Sequence, residues 1–339
     1  MRIVYIGDTW GTSEQRARAL QRIGHQVFPL DPWSWIARRP LRARIHFRTG
    51  YIGVDQILRS RLITEVYARQ PDLIWVNQCE YLGSASIANL RALGVPIVNY
   101  ANDNPFSRPN RHRFRSYRAA LPHYDLVVVV FADAVDAAYR AGARRVIRKF
   151  ITADEISHLN PPATDRLSTQ FQSDVVFVGS HIRGRRGAFI AELIRRGVPL
   201  AVWGDHWHKS KEWSVIRQNW RGPGAYDDLG YAQIIRSAKI CLGLLNGAAG
   251  NLHTGRSSEI PALGALLCAE RTSEHLALYQ EGEEAIFWSD AEECAAVCES
   301  LLRDDVRRNE ISRRGHERAL RNNLFNEPIL ASIIKDVTG

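Results

Sequence analysis

No apolar run in this chain approaches the roughly 20 residues that a membrane-spanning helix needs. Its start, Met1-Arg2-Ile3-Val4-Tyr5-Ile6-Gly7, reads as a strand, with no basic region, apolar stretch and cleavage site ahead of it, so no secretory leader is expected. Cysteine is scarce: Cys79, Cys241, Cys268, Cys294 and Cys298 are odd in number and show no CxxC spacing. That argues against a disulfide framework and for a reducing, cytoplasmic setting. Cys294 and Cys298, four apart on an expected helix, read as small core or surface residues and not as metal ligands. No metal site is expected, because Asp227-Asp228 opens a helix, Asp304-Asp305 lies between helices, and neither forms an acidic metal loop. There is no short-period repeat. Wholesale disorder is excluded as well, since 45% of the 339 residues are hydrophobic and only 24% are charged.

What is present is an alternation repeated twice. RIVYIG (2–7), QVFPLD (26–31), DLIWVN (72–77), VPIVNYA (95–101), DLVVVVFA (125–132) and RVIRKFI (145–151) read as buried strands, separated by amphipathic helical stretches. The stretch 157–173 breaks the pattern with two prolines and many polar residues. The alternation then restarts: DVVFVGS (174–180), LAVWGDHW (200–207), KICLGLLN (239–246), ALLCAE (265–270) and AIFWSD (285–290), with helices closing the chain. The expected fold is therefore α/β, two Rossmann-like domains facing across a cleft. The expected boundaries are 1–156 for the first domain, 157–173 for the linker, 174–325 for the second domain, and 326–339 for a last helix that crosses back.

Chemistry is expected in the loops that follow the strands. Gly179-Ser180-His181-Ile182-Arg183-Gly184-Arg185-Arg186 combines small residues, a following helix N-terminus and arginines, which suits an anion, with Arg183 and Arg186 gripping phosphate oxygens. The loop 246–259, NGAAGNLHTGRSSE, offers amides and hydroxyls for a diphosphate, with Asn246, Asn251, Thr254, Ser257 and Ser258 among them. Arg256 would neutralise charge and Glu259 would accept from sugar hydroxyls. Equally, Ser257 or Ser258 could merely cap a helix. Trp203 and Tyr226 could rest against a base or ribose, or pack in the core. In the first half, Asp8 and Asp103 follow the first and fourth strands, where a general base would stand, though both also suit turns. Glu80 and His253 are further candidates, and no spacing decides among the four. Net charge is +9, and the basic segments 38–48 and 108–118 could meet an anionic acceptor, a membrane surface or nucleic acid, with no recognisable nucleic-acid module present.

One cluster of motifs carries a resemblance. RSSEIPALGALLCAE (256–270), Glu274-His275, YQEGEEAIFWSDAEE (279–293) and RRNEISRRG (307–315), together with FVGS (177–180) and NDNP (102–105), resemble the CgeB-like (spore maturation protein-like) glycosyltransferases, of GT-B architecture. The resemblance covers the C-terminal half best. It implies sugar transfer from a nucleoside diphosphate sugar, a UDP-sugar favoured, to the hydroxyl of a glycan, lipid-linked or small-molecule acceptor, with no cofactor and no metal. In the wider retaining group two glutamates are separated by seven intervening residues; Glu259 matches the second, and Asn251 takes the place of the first. Arg183 or Arg186 resembles the basic residue that neutralises the diphosphate. On this reading the protein is cytoplasmic, with possible peripheral contact at the inner membrane face through the Arg-rich segments, and no nucleic-acid partner is expected. Two alternatives stay open: a nucleotide-sugar epimerase of the same fold, and a non-catalytic protein that binds anionic surfaces.

Overall fold

The computed structural model describes residues 1–36, 40–161, 169–224, 228–246 and 250–339. The chain divides into two compact units: Met1–Phe150 together with Asn326–Gly339, and Ile151–Phe325. Each unit is built on a six-stranded sheet whose pairings are all parallel.

In the first unit the strands are β1 (Arg2–Ile6), β2 (Gln26–Leu30), β3 (Leu73–Asn77), β4 (Ile97–Ala101), β5 (Leu126–Val129) and β6 (Val146–Arg148), in the order β2-β1-β3-β4-β5-β6. Every residue of β3, β4 and β5 is buried. This explains why they are apolar apart from Asn77 and Asn99, since strands covered by helices on both faces do not alternate with polar residues. The buried Asn99 is satisfied by the Val76 carbonyl at 3.2 Å and the Tyr117 hydroxyl at 2.8 Å. The chain leaves β1 for β2 on one side and then crosses to β3 on the other. The carboxyl ends of β1 and β3 thus flank the point at which the winding reverses, where ligands bind in open parallel sheets.

In the second unit the strands are β7 (Ser173–Val178), β8 (Leu200–Trp203), β9 (Trp220–Gly222), β10 (Ala238–Gly243), β11 (Leu267–Glu270) and β12 (Ile286–Trp288), in the order β12-β11-β10-β7-β8-β9. Counted from β7 this is the doubly wound 3-2-1-4-5-6 arrangement, with its reversal between β7 and β10. The two sheets are the α/β, Rossmann-like pair expected of the GT-B architecture.

Three local features add to the sequence reading or depart from it. β9 was not expected: it is three residues long, sits at the sheet edge and carries two exposed side chains, so no apolar run marks it. Basic residues 40–48 form a helix, Pro40–Arg48. The unit boundary falls at Phe150/Ile151, not at 156, because the start of the expected linker is folded into the second unit. There the Asp154 carboxylate accepts from the Ile156 and Ser157 amides at 3.0 Å and caps the turn Glu155–Leu159, with Ser157 and His158 buried. The Ala153 amide donates to the Leu324 carbonyl at 2.9 Å. Residues 162–168 lie outside the described residues. The last helix, Asn326–Thr338, belongs to the first unit. It packs on the helix Gly11–Arg22, with Arg22 paired to Glu327.

All five cysteines are free and buried. The sulfurs of Cys268, Cys294 and Cys298 lie within 4.8 Å of one another, a spacing that metal ligands share, although the sequence suggested no such trio. Their surroundings are apolar core, including Trp288, Phe189 and Leu301, and no fourth His, Cys, Asp or Glu completes the group among the described residues. Hydrogen bonding to its two neighbours, then burial, hold the Cys268 thiol well above its usual range. The bonds from Cys268 and Cys294 pull the Cys298 thiol down, so any thiolate of the trio sits on Cys298, sealed in the core away from reagents. A thiol-specific disulfide reagent is therefore expected to find no reactive group in the native protein and all five after unfolding; fast native labelling of any one would contradict this packing.

Candidate functional site

In the second unit the carboxyl ends of β7 and β10 bring two arginines together. Arg186 opens the helix Arg186–Arg195. It donates to the Ser180 carbonyl at 2.7 Å and the Leu244 carbonyl at 3.3 Å. Its Nε is buried without a partner. Burial, and then the charge of Arg256, pull its guanidinium down to about 10. Arg256 lies in the first turn of the helix Gly255–Ala262. Its Nε donates to the Val178 carbonyl at 3.3 Å and its Nη1 to Glu259 at 2.5 Å, and its guanidinium stands 4.5 Å over the Tyr231 ring. The buried Glu259 also accepts from the Tyr231 hydroxyl at 2.9 Å. Burial alone would raise the Glu259 carboxyl, but the charges of Arg256 and His158 and the two hydrogen bonds outweigh it and hold it below its ordinary value. One carboxylate thus answers one guanidinium, and the second, half-buried guanidinium remains as excess positive charge with an open donor. An anion of at least one charge is what that arrangement lacks.

Glycine shapes this half-site at two points. A Cβ on Gly255 would meet Glu259 Oε1 at 2.6 Å, so only glycine lets that carboxylate fold back over the helix start. Gly204, at φ +140°, abuts the Gly179 backbone where a side chain would collide with the carbonyl. The adjoining loops are laced together. The Gly179 amide donates to the Trp203 carbonyl at 2.8 Å, the Trp207 indole donates to the Gly179 carbonyl at 3.0 Å, and the His181 amide donates to the Asp205 carbonyl at 2.8 Å.

A pocket of about 380 Å³ lies at this edge, lined by Ile182–Arg186, Leu245 and Asn246. Arg183 is exposed at its rim. Arg185 is held by Glu270, whose other oxygen accepts from the Leu245 amide at 2.8 Å. In the neighbouring loop the Asn251 side-chain oxygen is buried without a partner.

Several residues expected to touch a donor are used otherwise. The Ser257 hydroxyl meets His275 Nε2 at 2.7 Å and accepts from the Thr254 amide at 3.1 Å. Ser258 donates to the Ile151 carbonyl at 2.7 Å. Both serines are buried and their hydroxyls hold the fold. His253, a candidate base, is fully buried: Nδ1 lies 2.5 Å from Glu274, and Nε2 accepts from the Ile151 amide at 3.1 Å. Neither ring nitrogen is left to take a proton, so His253 is a structural residue. The Trp203 ring packs 5.7 Å from Phe171. Tyr226 lies outside the described residues. Sequence reasoning missed Tyr231 and Glu270, which complete the charge arrangement; no spacing in the sequence marks either.

In the first unit, at the reversal between β1 and β3, a second pocket of about 380 Å³ is lined by Asp8, Trp10, Trp33, Tyr51, Gln78 and Glu80, among others. Among the described residues no Lys or Arg lines it. Partial burial first, then the charges of Asp31 and Glu80, raise the Asp8 carboxyl to about 6. Among the described residues no cation pairs with it. Asp103 differs. Its carboxylate is held by Arg113 and accepts from Gln78 at 3.1 Å, and its amide donates to the Gln78 side chain at 3.1 Å. Glu80 accepts from the Tyr51 hydroxyl at 3.1 Å and lies 3.5 Å from Arg113. Asp8 alone of these carboxylates is unengaged and shifted towards neutrality, as a general base requires. Gln78 and Cys79 adopt left-handed backbone, φ 61° and 53°, a strain that clusters at functional sites.

Residues 185–328 match the family model described as glycosyl transferase-like. No curated protein matches the chain. Among solved structures it is similar to Anabaena HepE in complex with UDP-glucose, at 11% identity over 99% of this chain and 100% of that one, with a TM-score of 0.70. It is similar to sucrose-phosphate synthase from Thermosynechococcus elongatus, at 14% identity over 99% and 98%, with a TM-score of 0.65. It is also similar to the UDP-GlcNAc 2-epimerase from Neisseria meningitidis bound to UDP-GlcNAc, at 13% identity over 99% and 100%, with a TM-score of 0.54. The chain therefore has the two-unit, Rossmann-like fold of these proteins, and its second unit carries a glycosyl transferase-like segment that includes Arg186, Arg256 and Glu259.

Proposed function

We propose that this chain is a glycosyltransferase that moves a sugar from a UDP-sugar to an acceptor hydroxyl. The observation that carries the proposal is the pair Arg186 and Arg256: two guanidiniums at the β7/β10 reversal, only one of them answered by a carboxylate. A diphosphate supplies the missing negative charge. The uridine is favoured because structural neighbours from Anabaena and Neisseria meningitidis are complexes with UDP-glucose and UDP-GlcNAc. The donor lies against Gly179, Ser180 and Asn246, with the Asn251 side-chain oxygen and Glu259 towards sugar hydroxyls. In the reaction the bond from the sugar anomeric carbon to the β-phosphate oxygen breaks and a bond from that carbon to the acceptor oxygen forms. Asp8 takes the acceptor proton, and UDP leaves with its charge held by Arg186 and Arg256. Two guanidiniums can do the work of a metal at the leaving group, which supports a metal-independent reaction.

The motifs at 256–293 support placing the chain among the CgeB-like enzymes. Among the described residues no helix is long and apolar enough to cross a membrane, and a cytoplasmic location fits five free cysteines.

The test is a thermal shift against UDP, GDP, dTDP, CDP and ADP, with and without EDTA. UDP at about 100 times its dissociation constant is expected to add roughly 2.7 kcal/mol of stability, indifferent to EDTA. No shift with any diphosphate would sink the donor site, and loss of the shift with EDTA would sink metal independence. Conversion of the UDP-sugar to an isomer of equal mass, with no acceptor added, would give the epimerase reading instead.

A further inference from the structure

The two Arg-rich segments, 70 residues apart in sequence, meet in the folded first unit. His112 Nε2 lies 2.9 Å from the Arg48 carbonyl at the end of the helix Pro40–Arg48, and the Arg113 guanidinium stands 5.8 Å from the centre of the Phe47 ring. Their junction leaves Arg44 and Arg48 exposed on one segment and Arg108, Arg111 and Arg115 exposed on the other. None of the five is paired with a carboxylate among the described residues. Arg113 and Arg118 are, by contrast, used internally by Asp103 and by the Pro105 carbonyl.

Large apolar side chains stand among these charges. Ile45 is 51% exposed, Phe47 51% and Ile52 65%. Ile52 is held out by a tight link in which Gly50, Tyr51 and Gly53 all take left-handed backbone (φ 63°, 60° and 78°). Tyr51 is not a glycine, so the turn is strained, and strain persists where surrounding structure enforces it. Here the Tyr51 ring is buried against Trp33 and Tyr81, with centroids 5.3 Å and 6.0 Å away.

We propose that this surface, Ile45, Phe47 and Ile52 ringed by unpaired arginines, docks the protein on an anionic lipid bilayer. Arginines attract acidic headgroups and apolar side chains enter the interface beneath them; together they hold a peripheral protein where either alone is weak. Nucleic acid explains the arginines but not the exposed isoleucines, which have nothing to contact on a phosphate backbone. The docking does not depend on the transferase reading. Combined with that reading it names the acceptor class: Phe47 contacts Tyr51 at 6.4 Å between centroids, and Tyr51 lines the Asp8 pocket, so that pocket adjoins the bilayer and takes a lipid-linked hydroxyl.

The experiment is co-sedimentation of the full chain with vesicles of phosphatidylcholine alone and of phosphatidylcholine with phosphatidylglycerol, at low and at high salt, with duplex DNA as a parallel ligand. Binding is expected on the mixed vesicles, weakened by salt and much weaker on neutral ones. Arg48→Gln is expected to lower the partition coefficient about fivefold. Phe47→Ser with Ile52→Ser is expected to abolish the binding that survives high salt, with an unchanged circular dichroism spectrum and unchanged UDP binding. Failure to sediment, equal binding to both vesicle types, indifference to these substitutions, or salt-sensitive binding to DNA alone would each overturn the proposal. None of those outcomes touches the donor site, which the UDP shift tests separately.

Discussion

Asp8→Asn is expected to lower kcat by about 10²–10⁴-fold, the usual contribution of a positioned general base, without unfolding the protein. The pH dependence separates this from a structural role. The Asp8 carboxyl is raised from 3.8 to about 6 in the folded protein, so folding favours its protonated form. The stability linked to that proton is fully present below pH 3.8 and is lost as pH rises through 6. At pH 7 the ionised carboxylate is a net burden, and asparagine removes it. The variant should therefore melt at the same temperature as the wild type, or higher, at neutral pH, and the gap should close in acid. Because Asp8 keeps contact with water, that gain is small. Activity runs the other way: the base must be ionised, so the wild-type rate should fall as pH drops through about 6. Glu80 is one cause of the rise, so Glu80→Gln should move this limb to lower pH. An Asp8→Asn enzyme with more than a tenth of wild-type kcat, or an acid limb that persists in that variant, would remove Asp8 from the chemistry.

How much of this could be read from the sequence follows from where each signal resides. β3 and β5 were visible because strands buried on both faces are predominantly apolar: LVVV is so throughout, and LIWVN is so up to Asn77 at its carboxyl end. Asp8 and Arg186 were visible because strand ends in a parallel sheet are where ligands sit, and a strand followed by Gly-Asp or by a Gly/Arg loop marks such an end. What stayed hidden depends on three-dimensional company. His253 in a Gly-rich loop looks like a free imidazole until burial and the Ile151 amide occupy it. Ser257 and Ser258 look like phosphate ligands until His275 and the Ile151 carbonyl claim their hydroxyls. Asp8 and Asp103 look equivalent in sequence, and only Arg113 and Gln78 distinguish them. The meeting of the two basic segments is likewise a property of the fold, since nothing in either one points to the other.

Arg186→Met should break the link between stability and function at the donor site. In the ligand-free protein Arg186 is a strained cation: burial and the neighbouring Arg256 pull its guanidinium down to about 10, and its Nε has no partner. A group whose folded pKa is depressed in this way, yet remains charged at pH 7, subtracts from stability. Methionine relieves that burden and fills similar volume, while forfeiting the bonds to the Ser180 and Leu244 carbonyls. These opposing changes leave the melting temperature of the free protein close to that of the wild type. Donor binding loses a charge-assisted contact of about 1.5–3 kcal/mol, equivalent to roughly 10–100-fold in the UDP dissociation constant. At a UDP concentration that stabilises the wild type by about 2.7 kcal/mol, a 30-fold weaker variant gains only about 0.9 kcal/mol. Arg183→Ala supplies the contrast: Arg183 is exposed, its charge is screened by water, and its removal should cost far less than that of Arg186. Equal losses from the two variants would mean that the diphosphate rests at the exposed rim. An unchanged UDP shift in Arg186→Met would mean that the excess charge at the β7/β10 reversal serves something other than the donor.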